Sequence, residues 1–321
     1  YAIDVTPPVV TCPPSVTLET DPNTCTAVAM FMCPIAPDNC SGSANPEQIL
    51  GLPSGSSFPQ GVNVVGFQAT DASGNSASCT FTITVIDVDA PYLSCPFNIV
   101  KNTDLGQCSA ITTWSAPTTH DNCDVPTLVQ TAGPTNGSAC PKGTTIVAFK
   151  STDASGNSTT CSFSVTVNDN EAPKITCPAN IVRSNDLNQC GAVVTYATPT
   201  FSDNCPGASI VLVSGLASGA FYPVGTTTNV FRVTDASGNT ATCSFTVTVN
   251  DTQAPTITCP ANIVKNNDPD ECGAIVTFPN PTFSDNCPGA VLTQIGGLPS
   301  GSFFPVGTTT NIFKVTDAAG N

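Results

Sequence analysis

Three segments, Phe81-Thr-Ile-Thr-Val85, Phe163-Ser-Val-Thr-Val167 and Phe245-Thr-Val-Thr-Val249, alternate apolar and hydroxyl-bearing residues without a break. A period of two puts one face of a segment against a core and the other in water, so each reads as a half-buried strand. A second strand follows the cysteines at 25, 108, 190 and 272. There Ala192, Val194 and Tyr196 share a face, as do Ala274, Val276 and Phe278. Its aromatic position holds Phe31, Trp114, Tyr196 and Phe278, at steps of 83, 82 and 82. That phase makes Trp114 a core anchor rather than a ligand platform. Pro (29) and Gly (24) punctuate the 321 residues so often that helices are nearly excluded. Short strands with frequent turns predict antiparallel β-sandwiches.

The alternation repeats because the chain repeats. Asp-Ala-Ser-Gly-Asn stands at Asp71–Asn75, Asp153–Asn157 and Asp235–Asn239, with Asp317-Ala-Ala-Gly-Asn321 as a near copy, each start 82 residues after the last. Cys-Pro recurs at Cys12, Cys95, Cys177 and Cys259, and Asp-x-x-Ala-Pro linkers begin at Asp87, Asp169 and Asp251. Four domains follow: 1–87, 88–169, 170–251 and 252–321, the last without its final strand. Each core is small, so covalent staples are expected.

Composition narrows the function. A net charge of −15 with only 8 Lys and Arg gives no patch able to replace phosphate counterions, so no nucleic-acid partner is expected. No apolar run approaches the ~18 residues of a membrane span, so no membrane insertion is expected. One His limits acid–base chemistry and rules out a His-rich zinc site. Seventeen Cys without C-x-x-C knuckles place the chain in an oxidising, secreted, extracellular or cell-surface setting. Tyr1-Ala2-Ile3-Asp4 reads as the interior of a longer chain, mature or truncated.

Ala-Pro-x-Ile-x-Cys-Pro-Ala-Asn-Ile-Val (Ala172–Val182, Ala254–Val264), Phe-x-Pro-Val-Gly-Thr-Thr-Thr (Phe221–Thr228, Phe303–Thr310) and Val-Thr-Asp-Ala-x-Gly-Asn before Thr242–Val249 resemble the hyalin repeat, or HYR domain. The resemblance runs through the whole chain. Repeat 1 departs most, with Pro14 in place of Ala179 and Ala261, and Gln60 in place of Val224 and Val306. It implies an immunoglobulin-like fold, extracellular matrix or cell-surface work, adhesion or structure, and no catalytic residues.

Four cysteines per repeat allow three pairings. First with fourth is favoured, because first and last strands of such sandwiches lie side by side: Cys12–Cys79, Cys95–Cys161 and Cys177–Cys243. Second with third then follows: Cys25–Cys40, Cys108–Cys123, Cys190–Cys205 and Cys272–Cys287. The second strand, however, carries the chain to the far end of a simple sandwich, so this set needs the chain to double back. Cys259 is left over. Either the chain is a fragment of a longer array, or a neighbouring molecule supplies the missing strand. Cys33 and Cys140, placed at opposite ends of a two-repeat block, lie beyond the ~4.4–6.8 Å a cystine allows. They either join neighbouring molecules or are buried thiols or a local bridge.

Linker acids and the Asp-x-x-Gly-Asn turn of the next domain should meet at each junction. The sets are Asp87, Asp89, Asp153 and Asn157; Asp169, Glu171, Asp235 and Asn239; Asp251, Asp317 and Asn321. Carboxylates with Asn and carbonyl oxygens suit Ca²⁺, and Val167–Pro173 loosely resembles a cadherin calcium linker. The same residues also serve tight turns with no ion. His120 reads as a solvated loop residue, and Asn39, Asn136, Asn157 and Asn250 match the glycan acceptor pattern. The functional reading is an extracellular, adhesive, disulfide-stapled rod whose partners are its own copies or other surface and matrix components. A ligand- or carbohydrate-binding accessory array is the alternative, and an enzyme has no nucleophile–base constellation to support it.

Overall fold

The computed structural model describes residues 2–40 and 42–321. Tyr1, in the opening tetrapeptide, and Ser41, in the Asn39 acceptor motif, lie outside the described residues. Every regular element among the described residues is a strand. The chain packs as two units, Tyr1–Asp104 with Cys108–Asn168, and Leu105–Gln107 with Asp169–Asn321.

In the first unit, repeat 1 forms β1 (Val16–Glu19), β2 (Thr26–Val28), β3 (Ala36–Pro37), β4 (Ser43–Ala44), β5 (Glu47–Leu50), β6 (Ser57–Pro59), β7 (Gly61–Thr70) and β8 (Ser76–Ile86). β7 and β8 make a long antiparallel hairpin, from Gly61↔Val85 to Thr70↔Ser76. Its turn is Asp71–Asn75, where Gly74 takes φ +92°. β5 adds to β7, while β2 pairs with β6 and β3 with β4 in the opposite layer. The alternating face of β8 enters the core: Phe81, Ile83 and Val85 are buried with Phe58, Val65 and Phe67. Phe31 closes this cluster edge-on, 5.2 Å from Phe81.

One pairing departs from an all-antiparallel sandwich. β1 runs parallel to β8, Val16↔Ile83 to Glu19↔Ile86. In a tandem array the chain enters a domain at one end and leaves at the other. First and last strands therefore run the same way, and as neighbours in one sheet they must be parallel. Repeat 2 does the same with Ile99–Asn102 on Ser158–Asn168, and in the second unit repeat 3 does so with Ile181–Ser184 on Thr240–Asn250.

Repeat 2 differs in its core. Cys140 pairs with Ala110 where Phe58 and Tyr222 face Ala27 and Ala192. It is fully buried, its sulfur 2.9 Å from Thr112 Oγ1. Of the readings left open for it, a link between molecules or a buried thiol, its burial agrees with the second. Trp114, the largest residue at its position, packs 5.5 Å from Phe163 beside it. His120 belongs to a short strand, Thr118–His120, that pairs with Tyr92–Ser94, rather than to a loop.

Repeat 4 in the second unit has only Val291–Gly296 on Ile312–Thr316 in this layer. The sequence stops ahead of the segment that forms the last strand elsewhere. Val264 is 97% exposed. A groove of about 750 Å³ opens over Ile263, Ala274, Phe278, Phe304 and Phe313, and Cys259 at its rim is a free thiol.

Candidate metal centres at the repeat junctions

Each turn acid is oriented by its own turn. Asp71 Oδ1 accepts the amides of Ser73 and Asn75, both at 2.8 Å, and its Oδ2 accepts the Asn75 side-chain amide at 2.9 Å. The last bond foremost holds the Asp71 carboxyl below the ordinary carboxylate range. At Asp235 and Asp317 burial pushes the other way, yet the amides of Asn239 and Asn321 and nearby backbone N–H groups outweigh it. These carboxylates are therefore charged at neutral pH.

The turn Asn then reaches the linker. Asn75, Asn157, Asn239 and Asn321 donate to the carbonyls of Asp4, Asp87, Asp169 and Asp251, each at 3.1 Å. Linker and turn acids are buried together: Asp87, Asp153, Asp169, Asp235, Asp251 and Asp317 are all under 9% exposed.

A third carboxylate joins them, and the sequence reading passed over it. Asp4, Asp38 and Asp71 come together, as do Asp169, Asp203 and Asp235, and Asp251, Asp285 and Asp317, with ligand oxygens within 4.8 Å of one another. In repeat 2 the group is Asp87, Asp121 and Cys123, although Cys123 sulfur is engaged in a disulfide. The signal was available: Asp-Asn-Cys recurs at 38, 121, 203 and 285, in phase with the repeat. Its Asp caps its own loop, Asp203 Oδ2 accepting the Cys205 amide at 3.1 Å. The other oxygen of Asp203, and those of Asp121 and Asp285, are buried without a hydrogen bond, as are one each on Asp4, Asp87 and Asp153.

Two acids from the expected sets are turned to other work. Glu171 accepts the Gly106 amide at 2.8 Å, and Asp89 takes the Asn122 side-chain amide at 3.3 Å. Asn157 and Asn239 serve as donors to the linker carbonyls, and Asn239 also donates to Asp235 Oδ2 at 2.8 Å.

The cysteines of the junction need a correction. Cys12–Cys79, Cys95–Cys161 and Cys177–Cys243 bond within their repeats, each with Cα atoms 5.8 Å apart. Cys25 bonds Cys123 rather than Cys40, and Cys190 bonds Cys287 rather than Cys205 (Cα separations 4.7 and 4.8 Å). Cys108–Cys123 and Cys272–Cys287 are thereby excluded. Cys108 and Cys205 are disulfide-bonded, whereas Cys40 and Cys272 are exposed free thiols, like Cys33 and Cys259. The reason is directional. The second strand region lies at the exit end of its repeat, so its cysteine meets the entry end of the next. Asn122 marks that seam by donating to Thr24 carbonyl at 2.8 Å, and Asn286 to Gln189 carbonyl at 3.1 Å.

Repeats 1, 3 and 4 thus each hold a cluster of three carboxylates that includes a buried oxygen without a hydrogen bond, and repeat 2 brings together Asp87 and Asp121, each with one such oxygen. An all-oxygen donor set of this kind suits hard cations.

The family model of the HYR domain matches residues 3–85, 86–167, 168–249 and 250–321. Hyalin of Strongylocentrotus purpuratus is 36% identical, the match covering 99% of this chain and 27% of that protein. Hyalin of Lytechinus variegatus is 32% identical, with 99% and 61% covered. The chain therefore spans about a quarter and three fifths of these relatives. Among solved structures, a protocadherin gammaB7 EC3-6 cis-dimer aligns over 97% of this chain and 96% of its own at 14% identity and a TM-score of 0.36. A score that low leaves the fold to rest on the strands themselves.

Proposed function

Because the chain belongs to the HYR domain family, we propose that it is a non-enzymatic structural and adhesive array of four repeats, bounded at residues 87, 169 and 251. It works outside the cell, where its cystines persist, and assembles with copies of itself or other surface components into a filament or matrix. Ca²⁺ stiffens its seams. The observation that carries this reading is the convergence of three carboxylates, with unmatched buried oxygens, beside cystines that bond one repeat to the next. Without a cation those clustered carboxylates repel one another and loosen the contact of linker with turn. With one, linker, loop and turn become a single rigid body.

Calorimetry with and without the ion tests it. Millimolar Ca²⁺ should raise the melting temperature over chelated protein, since a ligand held at ~100 times its Kd adds about 2.7 kcal/mol per site. Asp203→Asn should remove the contribution of one seam while leaving the others. An unchanged melting temperature, with no Ca²⁺ retained on dialysis, would sink the calcium reading.

A further inference from the structure

The two cross-repeat cystines follow one rule: the second cysteine of a repeat bonds the third cysteine, in Asp-Asn-Cys, of the repeat after it. Cys25–Cys123 and Cys190–Cys287 obey it at sequence separations of 98 and 97. The Asn of the same tripeptide supports each bond from the side by donating to the carbonyl just before the partner cysteine, Thr24 for Asn122 and Gln189 for Asn286. The cystine is therefore part of a built seam with a fixed partner.

Two positions of that rule are unmated. Cys272 is a second cysteine with an exposed free thiol, and Cys40, in Asp38-Asn39-Cys40, is a third cysteine with one. We infer that Cys272 and Cys40 are complementary halves of this same seam, each forming a cystine with another repeat of this kind. Cys272 takes an Asp-Asn-Cys loop, and Cys40 takes the second cysteine of a repeat placed ahead of it. For the 321-residue chain alone, the matching half is on a second copy, so the product is an end-to-end covalent polymer. Free Cys33 and Cys259 have no counterpart in the rule and take no part.

The step is oxidative, with a small disulfide such as oxidised glutathione as electron acceptor. The Cys272 thiolate attacks that disulfide, forming a mixed disulfide and releasing one glutathione thiolate. The Cys40 thiolate of a second copy then attacks the Cys272 sulfur and displaces the second glutathione. Two thiol protons and two electrons leave the protein, and one glutathione disulfide becomes two thiols.

The test uses the full chain carrying Cys33→Ser and Cys259→Ser, incubated in a glutathione redox buffer with Ca²⁺ and, separately, with chelator. Non-reducing gels should show a ladder of multimers, and peptide mapping should find Cys40–Cys272 links. Random pairing of two thiols gives heterotypic links only about twice as often as either homotypic link. Seam recognition should raise that ratio at least about tenfold. Added Cys40→Ser or Cys272→Ser should abolish the ladder, and a mixture of the two should stop at dimers. In native material, Cys272 linked to Cys40 identifies a second copy as partner, and a link to an Asp-Asn-Cys peptide absent from this sequence identifies a further repeat; both support the inference. A near-random ratio, single variants that still form ladders, or glutathione adducts without multimers would each overturn it. A ladder that forms equally in chelator leaves this inference standing while telling against the calcium reading.

Discussion

Asn229 is fully buried at a strand position where repeats 1 and 2 hold Val65 and Val147. Its Oδ1 accepts the Leu216 amide at 2.8 Å, and its Nδ2 donates to the Tyr222 hydroxyl at 2.9 Å. Tyr222 and Tyr196 both donate to the Leu216 carbonyl, at 2.5 and 2.7 Å. The amide contact recurs in repeat 4, where Asn311 Oδ1 accepts the Leu298 amide at 2.8 Å beside Phe304; the hydroxyls are what repeat 3 adds. Gly215 completes the site, since at φ +98° an added Cβ would stand 2.7 Å from Asn229 Cα. Burial first, and then the neighbouring Tyr222, push the Tyr196 hydroxyl up to about 12. An acid whose folded pKa is raised stabilises the fold below its unfolded value, near 10, and loses that contribution as pH climbs through the folded one. Between about pH 10 and 12, therefore, stability should fall, with Tyr196 ionising in that range in ultraviolet absorbance titration. Tyr196→Phe should flatten that part of the stability curve. A Tyr196 hydroxyl that ionises at about pH 10 would mean that the network is not as closed as described. Of this arrangement the alternation revealed the inward phase of Tyr196 and of Phe245, but a buried Asn gives no sign of which hydroxyl will meet it.

Among elements, the aromatic that follows the second strand and the strand facing it fill one space between them. Phe31 with Phe58, and Tyr196 with Tyr222, are matched pairs of rings, while repeat 2 balances its larger Trp114 with the small Cys140. Cys140→Phe alone overfills that core and should destabilise repeat 2 by about 1–3 kcal/mol. Adding Trp114→Phe rebuilds the repeat 1 pair and should recover most of the loss. Denaturant unfolding of both single variants and the double would show a coupling energy; additive effects would mean the two side chains do not share the space. The strands themselves were legible, because Phe81, Ile83 and Val85 and their counterparts keep strict period two. The parallel pairing of β1 was not, since hydrophobic phase is blind to strand direction. The compensation at Cys140 was hidden too: its spacing marked it as an extra cysteine, and only its place opposite Ala110 shows it replacing a ring.

For the molecule as a whole, the sequence displayed the repeats, the junction acids at Asp169 and Asp235, and the first-to-fourth cysteine clasp. It left the second clasp open for a specific reason. Cys25 has the same phase as Cys190, and Cys40 the same phase as Cys123, so spacing read modulo one repeat cannot say which copy supplies the partner. Direction decides it, through the exit of one repeat abutting the entry of the next. The clasp that spacing did reveal has a mechanical consequence. Tension arriving at Cys12 passes straight to Cys79, skipping the 67-residue loop between them, and then crosses 16 residues of backbone to Cys95. At ~3.3–3.6 Å per residue that stretch supplies about 55 Å of contour, against about 280 Å for a repeat with its thiols reduced. Only with the Cys12–Cys79 cystine reduced does load reach β1; because β1 lies parallel to β8, pulling then slides the two strands along each other and strains their hydrogen bonds together rather than one by one. Single-molecule stretching should record short steps that lengthen at least about fivefold in reductant, because each step is the contour released beyond the folded span; steps of equal length would show that the load travels another way. A tether built like this spends almost none of its length when it is tugged.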